Sequence, residues 1–144
     1  MAHSPIRCST SSRSLSPWNG GQAGETFRRA GADLVFCYVG TYATSSQVLP
    51  VIQQAKAPVV VLNLQPRAAL DYSHTDTGEW LANCSACCVP EISCALARAA
   101  IPFHQVTGML EPEPDFREPS ELAWTEMHEW CEAAKVIGAN PACR

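Results

Sequence analysis

Two polar turns and one cysteine cluster contain the residue types that could do chemistry. Thr41 and Tyr42 lie in the first turn, and Asn63 and Gln65 lie in the second. Each turn follows an apolar run typical of a buried strand, and open α/β sheets place their sites at the carboxyl ends of strands. We therefore predict a functional site at these two turns.

The cysteine cluster contains a single CxxC pair. Cys84 and Cys87, followed by Cys88, precede a helix predicted to open around Pro90, whose positive end would lower a thiol pKa. A structural zinc site usually has two such pairs, and a thioredoxin-like pair follows a strand rather than the loop predicted here. Zinc binding and thiol chemistry therefore stay open as minor alternatives. Most of the eight cysteines are expected to be buried, reduced thiols.

The elements that position these turns indicate an α/β domain. The predicted strands are Leu34–Val39, Val59–Leu62 and Phe103–Thr107, and a helix over Val48–Ala55 joins the first two. Parallel strands joined by a helix predict a doubly wound, Rossmann- or flavodoxin-like parallel sheet. Three strands are fewer than such a sheet usually has, so we expect an incomplete domain.

Further helices and connections complete the predicted order. A helix is expected to open at Val89–Glu91 and to end at Ile101, and a last helix begins after Ser120 and ends near Gly138. The segment Arg67–Asn83 is predicted to be a long loop, and such loops tend to be functional or to reach a partner. Glu111–Pro119 is predicted to be an extended connector.

Composition divides the chain and excludes several classes of protein. Residues 1–31 begin with a serine- and arginine-rich stretch and are predicted to be poorly ordered apart from a short helix at Glu25–Gly31, whereas 32–138 form the domain and 139–144 a truncated tail. The net charge of −4 and the absence of a basic patch argue against nucleic-acid binding. The sequence contains neither a secretory leader nor a run long enough to span a bilayer, which predicts no membrane partner and a cytoplasmic location.

The stretch from about Ala32 to Val136 resembles the N-terminal region of the L-arabinose isomerase / L-fucose isomerase family, in its arabinose isomerase-like branch. Two long strings carry the resemblance, PVVVLNLQP at 58–66 and GEWLANCSACCVPE at 78–91. Shorter matches are VGTY at 39–42, VLP at 48–50, VTG at 106–108 and the helix Glu129–Ala134.

The resemblance implies an aldose–ketose isomerase that moves a proton between C1 and C2 of a sugar with the help of a divalent metal, usually manganese. In the family the metal ligands and catalytic carboxylates come from later domains. The chain alone is therefore expected to contain no catalytic or metal-binding residue and to be inactive. The sugar, an aldopentose or a deoxyhexose, is expected as the ligand, and the full-length form is expected to be a homo-oligomer.

The resemblance also implies which residues of this region bind the sugar. In the family, loops of the N-terminal domain reach the active site of a neighbouring subunit. By this resemblance the candidates here are Thr41, Tyr42, Asn63 and Gln65. Their hydroxyl and amide groups both donate and accept hydrogen bonds, as sugar hydroxyls require. The substrate-binding candidates also include two residues of the cysteine-rich string, which are Cys87 and Glu91. Typical arabinose isomerases have a histidine where this chain has Cys87, which leaves the sugar unassigned.

Two alternatives remain beside this interpretation. The first is a stand-alone sugar-binding or interaction module without catalysis. The second, less favoured, is a zinc or thiol protein that uses the cysteines around position 87, namely Cys84, Cys87, Cys88 and Cys94.

Overall fold

The apolar runs that predict buried strands form one sheet. The computed structural model describes residues 17–112 and 117–139. Helices and strands alternate through most of this part of the chain. The exceptions are two consecutive helices before the third strand and two consecutive strands before the last helix. In chain order the elements are α1 Pro17–Arg29, β1 Val35–Tyr38, α2 Ser45–Ala55, β2 Val59–Gln65, α3 Thr77–Ala82, α4 Ser85–Arg98, β3 Phe103–Pro112, β4 Arg117–Pro119 and α5 Glu121–Ala139.

The sheet has the strand order β1-β2-β3-β4 and is curled. The first three strands are parallel, with Val59 of β2 aligned with Val35 of β1 and with Phe103 of β3. β4 runs antiparallel to β3, with Leu110 opposite Pro119. The predicted α/β class is therefore confirmed, and the predicted parallel arrangement holds for β1, β2 and β3 but not for the added strand β4. Only four residues separate β3 from β4, and so short a connection can join antiparallel strands but not parallel ones.

Alternating side chains of β2 enter two separate cores, one on each face of the sheet. Val59 and Val61 pack with α2 and α4 in the first core, together with Ile92 and Leu96. Val60, Leu62 and Leu64 enter the second core, which α5 covers through Ala123, Met127 and Trp130. Because β2 is buried on both faces, its sequence is a continuous apolar run rather than an alternating one.

α1 packs against α2 through two glycines one helical turn apart. A Cβ at Gly20 would lie 2.9 Å from the carbonyl oxygen of Gln47, and a Cβ at Gly24 would lie 2.2 Å from that of Val51. The helix begins at Pro17, inside the segment predicted to be poorly ordered, and ends before Gly31, whose φ is +64°. Residues 1–16 lie outside the described part of the chain.

The region before the fourth helix differs from its prediction. α3 occupies part of the expected loop, because the Asp76 side chain accepts a 2.7 Å hydrogen bond from the Glu79 N–H and caps this helix. α4 begins at Ser85, so Pro90 lies inside the helix instead of opening it. Its ring removes one backbone bond to the carbonyl of Ala86, an exposed residue whose oxygen can be hydrated.

α5 begins after Ser120, as predicted, and continues to Ala139. Gly108 of β3 allows the close approach, since a Cβ there would lie 2.7 Å from the Ala123 Cβ. Of the predicted connector, 113–116 lie outside the described residues, as do 140–144 of the predicted tail, and the connector's flanks belong to β3 and β4.

One apolar helical stretch within the described residues, Thr77–Arg98, reaches the length and mean hydropathy (1.2) of a membrane span. Only 39% of that window is buried, and the core helix of a soluble protein can pass the same test, so the finding is weak evidence. The stretch is also divided, because α3 ends at Ala82 and α4 begins at Ser85.

Candidate functional site

Four polar side chains share one face of the sheet near the carboxyl ends of β2 and β3. The alternation of β2 places Asn63 and Gln65 on the face of α2 and α4, because Val59 and Val61 point there. The Asn63 amide donates to Thr107 Oγ1 at 3.4 Å, and Gln105 Nε2 donates to the same oxygen at 3.0 Å. The structure thus adds two exposed groups of β3 to the two predicted amides of β2.

The Asn63 side-chain amide has an acceptor atom that a ligand could use. Its Oδ1 is buried and has no hydrogen-bond partner among the described residues. A buried acceptor without a partner costs free energy, about 1–3 kcal/mol in proteins, unless a ligand or water satisfies it. A ligand hydroxyl that donates a hydrogen bond to Asn63 Oδ1 would remove this free-energy cost.

A cleft of about 470 Å³ opens directly after β2. Its charged lining consists of two guanidinium and two carboxylate groups, so its formal charge is zero. Arg67 pairs with Glu79, and Arg117 Nη1 donates to the carbonyl oxygen of Pro66 at 3.1 Å. The full lining is Pro66, Arg67, Asp76, Gly78, Glu79, Ala82, Asn83 and Arg117.

Asn83 forms the inner wall of this cleft at the junction of α3 and α4. The side chain is 8% exposed, and its amide donates to the carbonyl oxygen of Glu79 at 2.8 Å. Its Oδ1 has no partner among the described residues. The cleft therefore combines charged donors and acceptors at its surface with an unsatisfied amide oxygen in its wall.

The other cavity is less suited to chemistry. It has a volume of about 300 Å³ and lies where α2 and α4 end, at the opposite edge of the sheet. Apart from Gln53 and Lys56, its lining consists of aliphatic side chains and proline, so it offers few groups that could orient a polar ligand.

The structure places the four predicted turn residues in two regions. Asn63 and Gln65 lie on the polar sheet face beside the cleft. Thr41 and Tyr42 lie in the exposed turn after β1, and neither residue lines the cleft. Tyr42 is 55% exposed, which leaves its ring open to contact from outside the described chain.

Glu91, a predicted substrate ligand, contacts protein instead. One carboxylate oxygen accepts the Ser45 backbone N–H at 2.8 Å, and the other accepts the Ser45 hydroxyl. Ser45 is the first residue of α2, so the carboxylate satisfies a free N–H at the positive end of that helix. These contacts give Glu91 a structural role, which links α4 to α2.

Cys87 lies on the exposed side of the first turn of α4, between two buried thiols. Its Sγ donates to the carbonyl oxygen of Cys84 at 3.1 Å, and Cys88 Sγ accepts the Ala43 N–H at 3.4 Å. Burial raises the pKa of both Cys84 and Cys88, so the helix end does not activate these two thiols. No group of three or more histidine, cysteine or acidic side chains that could hold a metal occurs within the described ranges.

Sequence reasoning missed Gln105, Thr107, Asn83 and Arg117. The strict register of β2 and β3, which aligns Asn63 with Thr107, would have found the two β3 residues, but register is not readable from either strand alone. Asp76 and Glu79 have the spacing of a helix cap, a signal that was present and would have placed α3 beside the cleft.

No protein-family model matches the chain, and no curated protein matches it. The resemblance to sugar isomerases therefore stays a prediction, and so do the substrate, the metal and the oligomer that it implies.

Proposed function

We propose that this chain is the N-terminal domain region of an L-arabinose/L-fucose isomerase-like aldose–ketose isomerase. In this proposal it contributes sugar-binding loops and subunit contacts, its sheet belongs to a doubly wound, Rossmann-like domain, and the protein is cytoplasmic. The proton transfer and the metal ligands belong to parts of the enzyme outside this chain, which by itself does not turn over sugar.

The cleft after β2 is the observation that carries the proposal. A sugar hydroxyl donates one hydrogen bond and accepts others, so it is best held where carboxylate and guanidinium groups alternate. Asp76 and Glu79 supply acceptors, and Arg67 and Arg117 supply donors, within one volume of about 470 Å³. Pockets of about 300–1,000 Å³ are typical of small-molecule sites. The zero formal charge favours a neutral polyol over a phosphate or a cation.

The polar sheet face next to the cleft supports the same ligand class. Asn63 has an unsatisfied Oδ1, and Gln65, Gln105 and Thr107 present further amide and hydroxyl groups on that face. Their shared chemistry is the recognition of hydroxyl groups. None of them is a general base, so these residues bind and orient a sugar but do not abstract its proton.

The divalent metal of the family does not fit the residues described. Manganese prefers a set of carboxylate and imidazole ligands, and no group of three such side chains comes together in 17–112 or 117–139. In the proposed enzyme, residues outside this chain would hold the metal, which would supply stabilisation of the negative charge that develops on the sugar. This region only delivers the sugar.

Exposed apolar side chains on α5 support the subunit contacts. Leu122 is 84% exposed and Val136 is 72% exposed, although both lie on a helix whose other face covers a core. Trp124 and Ile137 are also exposed. We assign these exposed apolar side chains to the proposed subunit contacts, because contact with other protein would remove them from water.

The decisive experiment is a calorimetric titration of the full chain with L-arabinose and with L-fucose. We expect a dissociation constant of about 1 mM or weaker, since the cleft is open and only part of the site is present. Arg117→Gln removes a donor of the cleft and should weaken binding about tenfold, because a hydrogen bond to a charged group contributes about 1.5–3 kcal/mol. The matched control is Arg98→Gln, an equally exposed arginine at the end of α4.

Four outcomes discriminate the interpretations. Equal binding by both variants would place the sugar elsewhere, and no binding of either sugar would refute the proposal. Tight, micromolar binding by a monomeric chain would favour the stand-alone module. Turnover of either sugar by the purified chain with manganese would contradict the claim that catalysis lies outside it.

A further inference from the structure

The CxxC cluster combines one exposed thiol with buried thiols around it. Cys87 is exposed, whereas Cys84 and Cys88 are each 3% exposed. Cys87 Sγ donates to the Cys84 carbonyl oxygen at 3.1 Å, which places the Cys87 thiol against the residue that carries the buried Cys84 thiol. An exposed thiol next to a buried one is the arrangement of an attacking and a resolving cysteine.

We propose that Cys84 and Cys87 form a reversible disulfide, which makes the start of α4 a redox modification site. The oxidant is a small-molecule disulfide such as oxidised glutathione. This inference does not depend on the proposed sugar site.

Helix geometry favours this pair over the adjacent one. Two residues three apart in an α-helix have Cα atoms about 5 Å apart, inside the range of about 4.4–6.8 Å that disulfides span. Cys84 precedes the helix as its N-cap residue, with φ −71° and ψ −3° in the right-handed region, and its carbonyl oxygen accepts the Cys87 N–H at 3.1 Å, which keeps the two residues within one turn. Cys87 and Cys88 are neighbours, and Cα atoms about 3.8 Å apart across a trans peptide are too close for an unstrained bridge.

The remaining thiols are less well placed. A Cys84–Cys88 bridge fits the Cα range of about 4.4–6.8 Å, but both thiols are buried, so neither offers a soluble oxidant an exposed sulfur. Cys94 lies seven residues beyond Cys87, a rise of about 10 Å along the helix. Among Cys84, Cys87 and Cys88, Cys87 is therefore the thiol that a soluble oxidant reaches first, and Cys84 is its partner.

The chemical step balances as a double thiol–disulfide exchange. The Cys87 thiolate attacks one sulfur of oxidised glutathione, the S–S bond breaks, and one glutathione leaves as a thiolate that takes up a proton. The Cys84 thiolate then attacks Cys87 Sγ and releases the second glutathione. Two cysteines lose two electrons and two protons in total, and one glutathione disulfide becomes two thiols.

The rate of this exchange has a predictable pH dependence. Burial raises the pKa of Cys84, so its thiolate is scarce at neutral pH and becomes more abundant as the pH rises. Closure of the bridge should therefore be slow at pH 7 and about tenfold faster per pH unit until the thiol has titrated, because only the thiolate attacks.

The test equilibrates the intact chain in glutathione buffers of graded oxidised fraction, blocks free thiols by alkylation and maps the peptides by mass spectrometry. We expect a Cys84–Cys87 bridge that dithiothreitol reverses. Cys94→Ser, which removes an exposed thiol two turns away, should leave the bridge unchanged. Cys87→Ser should abolish it, with circular dichroism showing an unchanged fold because the residue is exposed. Cys88→Ser should retain it.

Several results would overturn the proposal. These are a Cys84–Cys88 bridge, a bridge that includes Cys94, a glutathione adduct on Cys87 that never closes, or thiols that stay reduced throughout. A bridge that forms at equal rates in folded and urea-unfolded chains would also overturn it, because the folded cluster would then contribute nothing.

Discussion

The substitution Gly24→Ala tests whether α1 belongs to the domain, and Gly21→Ala is its matched control. Both residues lie in α1, so both substitutions gain the same helix propensity, about 1 kcal/mol for alanine over glycine. Nothing lies within 4 Å of a Cβ at Gly21. At Gly24 the Cβ would lie 2.2 Å from the Val51 carbonyl oxygen and 2.7 Å from the Gln54 Cβ.

The magnitude follows from these distances. An ordinary contact begins at 3.4 Å, so α1 must move away from α2 by about 1 Å to accept the new methyl group. The nearest atom is backbone and cannot rotate aside. Overpacking of this kind costs about 1–3 kcal/mol, and because propensity cancels, the two variants should differ by that amount. Gly21→Ala should be more stable than the parent chain, and Gly24→Ala less stable than its control.

The assay is urea unfolding followed by circular dichroism. With a slope of about 1–3 kcal/mol per molar urea, the midpoints of the two variants should differ by roughly 1 M. Tryptic cleavage after Arg28 and Arg29, both exposed, should also be faster in Gly24→Ala if α1 detaches. Equal midpoints, or a more stable Gly24→Ala, would refute the packing of α1 on α2.

Three further predictions concern the contacts that shape the site. Glu91→Gln should destabilise the fold by about 0.3–1 kcal/mol, because it removes a charge from an exposed helix N-terminus, yet leave sugar affinity unchanged in the calorimetric titration; a selective loss of affinity would make Glu91 a ligand instead. Burial raises the pKa of Cys37 to about 11 against a usual value of 9.0, so the folded state retains this proton longer than the unfolded state does. The stabilising contribution of the Cys37 proton should therefore be complete below pH 9 and decrease as the pH rises towards 11. In thermal melts at graded pH, Cys37→Ala should reduce the fall of the melting temperature over this range. If the variant shows the same fall as the parent chain, other groups cause it. Glu126→Gln should cost no more than about 1 kcal/mol in urea unfolding although its carboxylate lies 2.6 Å from His104 Nε2, because both side chains are partly solvated; a loss of several kcal/mol would contradict this.

The strands were predictable because their signal is local. The runs around Val35, Val59 and Phe103 are apolar and bounded by proline or polar turns, so each predicts a strand without knowledge of its neighbours. The helical face of α5 was predictable for the same reason, since Ala123, Met127 and Trp130 recur at helical spacing and do cover a core. The bounds of α4 were not predictable, because Pro90 suggests a helix start but lies inside this helix.

The candidate site was predictable only in part. The end of β2 was identified from sequence, and its amides lie beside the cleft. Gln105 and Thr107 belong to the same polar face only because β2 and β3 pair in one particular register. The antiparallel β4 was also unexpected, and it is this strand that brings Arg117 to the Pro66 carbonyl, 51 residues away in the chain.

The sequence by itself determined the α/β class, the parallel core strands and the polar ends of those strands, because burial on both faces requires apolar runs and turns require polar residues. Only the tertiary structure decided which polar groups meet. It paired Glu91 with Ser45, the first residue of α2, across 46 residues of sequence, and it assembled the cleft from the ends of β2, α3 and β4. The physical reason is that contacts between distant residues depend on strand register and helix packing, which are properties of the assembled chain and of no single segment.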